Sequence, residues 1–269
     1  MTVAAGLLVR DEIDILAYTI RHLATQVDEI LVTDNGSTDG TRELLAKLEE
    51  DGFVSRIFDD ADPAYYQSRK VTWLADRARE RGHDWFVPAD ADERWRSQDG
   101  RPIRDFLRSI APDVLAVDAA LFQYLPSSED KRNEPDVFRR IGWRLAEPSP
   151  LPKVACRLVQ GLTIDAGNHG CKIGGHRPRL VGGGLRVDHY SWRTANQYGR
   201  KIRNGSRAYA ATDLPEGMGA HWRMWGDPEA PDLEARARQH FRRYFLARTP
   251  PCAPGSSDPS GLIYDPAEA

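Results

Sequence analysis

The feature that most constrains the fold is a regular alternation of short apolar runs with amphipathic segments at the start of the chain. Four runs have the length of a strand, and the segments between them have helical periodicity, as in Leu16, Ile20 and Leu23. The runs cover residues 3–9, 29–33, 53–58 and 84–89. Strands and helices that alternate through short links are typical of a parallel sheet with helices on both faces. The sequence therefore predicts an α/β fold.

Beyond these runs the pattern changes to mixed or antiparallel strands with long loops. The predicted elements there are a helix over residues 102–110, a strand over 114–123, and helices over 192–211 and 233–247. This change predicts two halves, residues 1–112 and 113–248. A tail rich in Pro, Ser and Gly, residues 249–269, is expected to be loosely ordered.

Composition excludes several classes of protein. The net charge is −3, with acids and bases interspersed, so no broad electrostatic footprint for nucleic acid or an anionic membrane is expected. The first residues hold too few apolar side chains for a signal sequence or a membrane span of ~20 residues, which predicts a cytoplasmic protein without a transmembrane segment. Cys156, Cys171 and Cys252 lack the spacing of a zinc site and are expected to be reduced, structural thiols.

Three polar clusters follow the first, second and fourth predicted strands. They are Arg10-Asp11-Glu12, Asp34-Asn35-Gly36-Ser37 and Asp90-Ala91-Asp92-Glu93. Ligands of parallel α/β sheets bind beyond the carboxyl ends of the strands. We therefore expect the three clusters to meet at one edge of the sheet and to form a binding site there.

The cluster at residues 90–93 could be a metal site, an acid/base pair or a charged loop. Asp90 and Asp92 repel each other unless a cation or a ring of donors compensates. Carboxylate oxygens suit Mg²⁺ or Mn²⁺, which bind substrate phosphates through one or two protein carboxylates. The motif is short, and its position after the fourth strand is what favours a cation site.

The second cluster has a structural and a functional interpretation. Ser37, Thr38 and Asp39 are typical of a turn and a helix cap that local hydrogen bonds explain. Asp34 differs, because it ends the strand and could accept a hydrogen bond from a nucleobase imide or a ribose hydroxyl.

The order VRDE, TDNGSTDGT, Arg69 and ADADE resembles the nucleotide-sugar half of family 2 glycosyltransferases of the GT-A fold, in the branch whose metal motif reads DxDE. The resemblance covers residues 3–95 and continues more weakly to about residue 210, through KVACR, GNH and HYSWR. It implies a Rossmann-like, mainly parallel sheet that binds the donor and a mixed-strand half that binds the acceptor.

The resemblance also implies roles for individual residues. The donor-binding residues would be Val9, Arg10, Glu12, Asp34, Arg69, Asp90, Ala91, Glu93, Arg193 and Lys201. The ligands of a divalent cation, Mn²⁺ or Mg²⁺, would be Asp90, Asp92 and His189. His189 could instead be a packed strand residue. Arg193 and Lys201 could equally form a solvated basic helix face.

Family 2 enzymes mostly invert the anomeric centre, which needs a base for the acceptor hydroxyl. His169 and Asp165 are the candidates, followed by Glu93 and Asp188, and Asp165 could instead orient His169 or end a strand. The implied function is transfer of a sugar from a nucleoside-diphosphate sugar to a small-molecule or glycan acceptor. A nucleotidylyltransferase and a non-catalytic nucleotide-sugar binder are the alternatives.

Tryptophan is frequent for a chain of this length. Trp222 and Trp225 are candidate contacts of the acceptor, because aromatic rings stack on the apolar faces of sugars. Trp73 and Trp85 are expected in the core.

Overall fold

Strands and helices alternate along the first 90 residues of the chain, as the sequence predicts. The computed structural model of the protein describes residues 1–131, 133–246 and 262–267. Its first elements are β1 (Val3–Val9), α1 (Leu16–Gln26), β2 (Glu29–Asp34), α2 (Thr41–Glu50), β3 (Arg56–Asp59), α3 (Gln67–Glu80) and β4 (Trp85–Ala89). The prediction of an α/β fold is confirmed.

The later elements are shorter and more varied. They are β5 (Glu93–Ser97), α4 (Ile103–Arg108), β6 (Ala116–Leu125), α5 (Val137–Arg140), β7 (Trp143–Leu145), β8 (Lys153–Arg157), β9 (Leu162–Ile164), β10 (Cys171–Ile173), β11 (Leu180–His189), α6 (Ala195–Ala210), α7 (Ala220–Arg223), α8 (Leu233–Phe241) and β12 (Leu262–Tyr264). A 3-10 turn at Ala166–Asn168 and a π-helical turn at Arg242–Leu246 complete the described chain.

The chain divides into two compact units that interleave along the sequence. The sheet unit comprises Met1–Asp60, Gln67–Phe122 and Pro148–His189. The helical unit comprises Ala61–Tyr66, Gln123–Glu147 and Tyr190–Ala269. Residues 148–189, which fall in the second predicted half, are thus part of the sheet unit. The division into a donor half and an acceptor half is defined by ligands and stays a prediction.

The sheet unit is built on parallel strands. β1 lies between β2 and β4 and is parallel to both, and β2 is parallel to β3. β8 is antiparallel to β4 and to β6, which adds the mixed part of the sheet. β5 pairs with β11 in antiparallel register, and β9 and β10 form a separate hairpin.

Burial on both faces explains the apolar character of the central strands. Six of the seven residues of β1 are buried, and all five of β4 are. A sheet covered by helices on both sides requires such continuous apolar runs, because no face of the strand meets water. Gly6 of β1 faces Phe86 of β4 and Leu74 of α3 without room for a side chain. A methyl group at Gly6 would stand 2.2 Å from Phe86 and 2.8 Å from Leu74.

The helical unit has its own apolar core. Tyr198 and Ile202 of α6 pack with Leu233 and Phe241 of α8. Trp222 and Trp225 pack against the same cluster, and both are partly buried. β12 pairs with β7, and β7 pairs with the end of β6.

Several details differ from the prediction. β5 and β12 were not expected: β5 (ERWRS) has a single apolar residue, and β12 lies in the tail expected to be loosely ordered. The rest of that tail, residues 249–261 and 268–269, lies outside the described residues. Trp85 is fully buried as predicted, whereas the prediction for Trp73 is wrong, because its ring is 41% exposed and packs edge-on against Phe58.

Cys156 and Cys171 are buried, free thiols, as predicted. Cys252 lies outside the described residues. In the part of the chain that the structure describes, no helix combines the length and apolarity needed to cross a membrane.

Gly6→Ala is expected to lower the free energy of unfolding by about 1–3 kcal/mol, because the added methyl overlaps the ring of Phe86. Urea denaturation measures the change. Gly217→Ala is the matched control, since a methyl group at that position meets nothing within 4 Å. Equal stability of the two variants would contradict the packing described for β1.

Candidate functional site

Three loops leave the sheet at neighbouring positions, so that the polar clusters lie at one edge. Val9 is paired in register with Asp34, and Leu7 with Ala89. The residues that follow β1, β2 and β4 therefore emerge side by side beyond the carboxyl ends of parallel strands. This edge of the sheet unit is the candidate site.

The loops after β1 and β2 are joined by hydrogen bonds. The amide of Asp11 donates to Ser37 Oγ at 3.0 Å, and Asp11 Oδ1 accepts from the amide of Thr38 at 2.7 Å. Asp11 has a φ of +54°, a conformation that Asp adopts more readily than most residues. The amide of Glu12, a buried residue, donates to Thr41 Oγ1 at 3.0 Å. Ser37 and Thr38 thus have the structural role that turn chemistry predicts.

Asp34 carries an acceptor that the protein leaves unused. Its side chain is 5% exposed, and Oδ2 accepts from the amide of Ser37 at 3.2 Å. Oδ1 is buried and has no hydrogen-bond partner among the described residues. A buried acceptor without a partner is costly, by about 1–3 kcal/mol, and such groups often mark a position that a ligand fills. Val9 and Arg10 lie at the same edge, at the end of β1. Val9 is buried, and its carbonyl accepts from the amide of Asn35. Arg10 is partly buried.

Asp90, the first acid of the cluster after β4, is fully engaged with the protein. Its Oδ2 accepts from Lys153 Nζ at 2.7 Å. Its Oδ1 accepts from Asn168 Nδ2 at 3.1 Å and from Gln67 Nε2 at 3.2 Å. Three donors therefore hold both oxygens. Asp90 as a metal ligand and a donor contact stays a prediction, and in this arrangement its carboxylate pairs with a lysine.

Glu93 is buried beneath the loop and holds its shape. Oε2 accepts from the amide of Asp90 and from Trp95 Nε1, both at 3.0 Å, and Oε1 lies 2.7 Å from Lys153 Nζ. Burial raises the pKa of Glu93, and the Lys153 ammonium opposes this shift without cancelling it. Ala91, between the two Asp residues, is buried, and its carbonyl accepts from Thr19 Oγ1 at 2.6 Å.

Lys153 supplies the positive charge that this group of carboxylates requires. It is 2% exposed and lies at the start of β8. Burial by itself would lower its pKa, but Asp90 and Glu93 outweigh that effect and the pKa lies above its ordinary value. Lys153 is therefore charged, with Asp90 as its partly exposed counterion.

Asp92 and His189 form the pair that best fits a cation. Asp92 Oδ1 lies 3.3 Å from His189 Nε2, and Asp92 is 3% exposed. β11 brings His189 there by placing it opposite Glu93 in register. No group of three or more His, Cys, Asp and Glu residues that could hold a metal occurs among the described residues. One carboxylate and one imidazole nevertheless suit Mn²⁺ or Mg²⁺ that shares its remaining positions with phosphate oxygens and water.

His169 lies in the turn of the β9–β10 hairpin, close enough to Lys153, Asp90 and His189 to interact with their charges. Its Nδ1 is 2.9 Å from the carbonyl oxygen of Pro152. A carbonyl only accepts, so Nδ1 carries the hydrogen and the lone pair of the neutral ring lies on Nε2. Burial, reinforced by the charge of Lys153, lowers the pKa of His169. A neutral imidazole with its lone pair on Nε2 is what a general base requires.

The other base candidate, Asp165, begins the same turn and is paired differently. Its Oδ2 lies 2.8 Å from Arg177 Nη1, and its amide donates to the carbonyl of Gly170. Asp165 thus closes the hairpin turn, and no described hydrogen bond joins it to His169. Asp188, a further candidate, is fully buried and accepts from Arg186 and Arg96.

The remaining predicted donor contacts are placed as follows. Arg69 lies in the first turn of α3 and is exposed. Arg193 belongs to the helical unit, is 3% exposed and donates from Nη1 to the carbonyl of Tyr190, so it is not on a solvated face. Lys201 lies on α6 of the same unit and is partly buried.

The sequence prediction missed Lys153, Gln67 and Asn168, which all bond Asp90. A faint signal was present for Lys153. Lysine is rare in this arginine-rich chain, and Lys153 directly precedes an apolar strand, where a buried charge needs a partner.

The comparisons with known proteins identify the family of the chain. The family model described as glycosyl transferase family 2 matches residues 7–145, just over half of the 269 residues. The sequence matches none of the curated proteins with which it was compared.

Two solved structures are among those to which the chain is similar. Residues 1–349 of S. aureus TarS, in complex with UDP, are 11% identical over 91% of this chain and 72% of that chain, with a TM-score of 0.42. Glucosyl-3-phosphoglycerate synthase from Mycobacterium tuberculosis, in complex with Mn²⁺, UDP and phosphoglyceric acid, is 15% identical over 80% of each chain, with a TM-score of 0.39. The match of the family model over half of the chain decides the assignment: the chain belongs to glycosyl transferase family 2 and is a glycosyltransferase.

Proposed function

We propose that this glycosyltransferase moves a sugar from a nucleoside-diphosphate sugar to a hydroxyl or amine of a small soluble acceptor, with inversion and with a divalent cation. The observation that carries the proposal is the position of the Asp92–His189 pair at the same sheet edge as the unpartnered oxygen of Asp34. Family membership favours this function over a nucleotidylyltransferase or a non-catalytic binder. The proposed acceptor is a natural-product or cell-envelope intermediate, and the proposed location is the cytoplasm.

The donor is held at the edge of the parallel strands. Asp34 Oδ1 accepts the imide hydrogen of the base, which satisfies the buried acceptor. Val9 and Arg10 line the base, and Arg69 contacts the base or the diphosphate. Arg193 and Lys201 remain predicted contacts of the diphosphate, and Trp222 and Trp225 remain predicted contacts of the acceptor.

Asp92 and His189 would hold Mn²⁺ or Mg²⁺ beside the diphosphate. When bound, the cation offsets the negative charge that develops on the leaving nucleoside diphosphate. Glu93 supports this arrangement by accepting from the amide of Asp90, which fixes the loop that carries Asp92.

His169 acts as the base in the transfer. The acceptor oxygen forms a bond to the anomeric carbon as the bond to the diphosphate oxygen breaks, and the proton of the acceptor hydroxyl passes to Nε2 of His169. The hydrogen bond from Nδ1 to the Pro152 carbonyl holds the ring in the tautomer that this step needs.

Asp34→Asn is expected to weaken binding of the preferred nucleoside diphosphate by about 10–100-fold, because the amide presents a donor or a weaker acceptor to the base. Calorimetric titration with UDP, GDP and dTDP identifies the preferred nucleotide and measures the loss. Asp51→Asn, on an exposed residue at the end of α2, is the matched control. Unchanged affinity in Asp34→Asn would remove Asp34 from the site.

Asp92→Asn is expected to abolish the difference in nucleotide affinity between solutions with and without Mn²⁺, because the pair with His189 loses its charged ligand. Circular dichroism verifies that the variant is folded. If no nucleoside diphosphate binds the wild-type chain more tightly with Mn²⁺ than without it, the metal-dependent function fails.

As the solution is acidified, the rate of transfer is expected to fall only at a pH below about 6.5, the ordinary histidine pKa. The reason is that the pKa of His169 is lowered, so the neutral base persists to lower pH. A pH profile of kcat measures this acid limb, the part of the profile where the rate falls. His169→Gln should lower kcat by about 10²–10⁴-fold and remove the limb. His176→Gln changes an exposed histidine and is the control. A wild-type acid limb that persists in His169→Gln would assign the base to another residue.

A further inference from the structure

Lys153 joins three segments of the sheet unit that are distant in the sequence. Its Nζ lies 2.7 Å from Asp90 Oδ2, 2.7 Å from Glu93 Oε1 and 2.8 Å from the carbonyl oxygen of Gly167. The contacts with Asp90 and Gly167 are hydrogen bonds, and the contact with Glu93 is an ion pair. The side chain thus ties β8 both to the loop after β4 and to the turn of the β9–β10 hairpin.

The same turn is fixed by two further bonds. The amide of Gly167 donates to Gln67 Oε1 at 2.6 Å, and Asn168 Nδ2 donates to Asp90 Oδ1 at 3.1 Å. Gly167 and Asn168 have positive φ values of 74° and 58°. Consecutive residues in this conformation persist where the surroundings hold them, and such backbone clusters at functional sites.

The held turn ends at His169. The two residues that precede His169 are therefore both held: Asn168 is bound to Asp90 at the donor edge, and Gly167 is bound to Lys153 on β8. The orientation of Asn168 is also fixed, because a flipped amide would place its oxygen against the carboxylate of Asp90. A shift of Lys153 would move both the acid loop and the base.

We propose that Lys153 is a positioning residue of the transfer reaction. It clamps Asp90 to the hairpin turn, so that His169 is presented to the acceptor at a fixed place relative to the donor. Asp90 serves this clamp instead of holding the cation. This inference rests on the proposed function for its catalytic part. The clamp itself is a property of the protein without ligands, and the two can be tested apart.

The test needs a variant that removes the ammonium and still folds. Lys153→Met alone leaves Glu93 buried next to Asp90 without a compensating charge. The double variant Lys153→Met/Glu93→Gln removes one buried carboxylate together with the ammonium, and Glu93→Gln alone is its reference. Lys172→Met, on β10 of the same hairpin, controls for the loss of a lysine that has no part in the clamp.

Three quantities are measured on each variant. They are the affinity for UDP with Mn²⁺, the kcat and KM for hydrolysis of the sugar nucleotide that the wild-type chain turns over fastest, and the deuterium exchange of peptides that cover residues 165–170. The panel of sugar nucleotides is UDP-glucose, UDP-galactose, UDP-N-acetylglucosamine and GDP-mannose.

We expect the double variant to exchange faster in residues 165–170 and to lose kcat by about 10²-fold relative to Glu93→Gln, since a displacement of about 1 Å has that effect on positioned groups. Its KM and its affinity for UDP should stay within about threefold. Lys172→Met should match the wild type in all three measurements.

A kcat equal to that of Glu93→Gln, or a loss confined to UDP affinity, would overturn the positioning role. If the wild-type chain binds no nucleoside diphosphate, the proposed function fails and the exchange experiment alone decides about the clamp. Exchange that is unchanged in the double variant would then refute it, and faster exchange would support it.

Discussion

The arrangement of the site depends on the buried ion pair between Lys153 and the carboxylates after β4. Parallel strands end in a common edge, and in this protein that edge carries Asp34, Asp90, Asp92 and Glu93. Carboxylates this close to one another repel in a partly buried environment. The Lys153 ammonium, which is 2% exposed, offsets part of that repulsion. Loss of one partner from a buried pair of this kind typically costs about 3–5 kcal/mol, because the remaining charge is left without compensation.

The four carboxylates have different surroundings, and these surroundings divide their tasks. Asp90 is held by three donors and Glu93 is buried beneath the loop, so both shape the site. Asp92 faces an imidazole and suits a cation, while Asp34 keeps one oxygen without a partner among the described residues and suits a donor such as a nucleobase imide. Burial and hydrogen bonding thus give these carboxylates different surroundings, and the different functions proposed for them follow from that difference.

The sequence predicts the parallel part of the fold and the edge where the site lies, because both follow from local patterns. The runs that become β1, β2 and β4 are apolar and the turns after them are polar, and the short links between helices and strands leave few topologies. β5 was missed because its sequence, ERWRS, has four polar residues in five, and it becomes a strand only through its pairing with β11. Tertiary pairing of this kind is not encoded within a short window.

The same limit applies to the site. The sequence motif predicts both Asp90 and Asp92 as metal ligands, and it does not show that Lys153, which follows Asp90 by 63 residues, lies 2.7 Å from Asp90. The choice of His169 over Asp165 likewise depends on the Pro152 carbonyl and on Arg177, which no spacing rule places. Sequence motifs therefore predict where the site lies, and long-range contacts are needed to propose a role for each of its residues.

A crystal structure of the chain soaked with UDP and Mn²⁺, with an anomalous difference map for manganese, tests the central claim most directly. The division of tasks among the carboxylates predicts a manganese peak beside Asp92 and His189, the uracil imide at Asp34 Oδ1, and Asp90 still bound to Lys153. Manganese coordinated by Asp90 with Lys153 displaced, or a nucleotide bound away from Asp34, would contradict it.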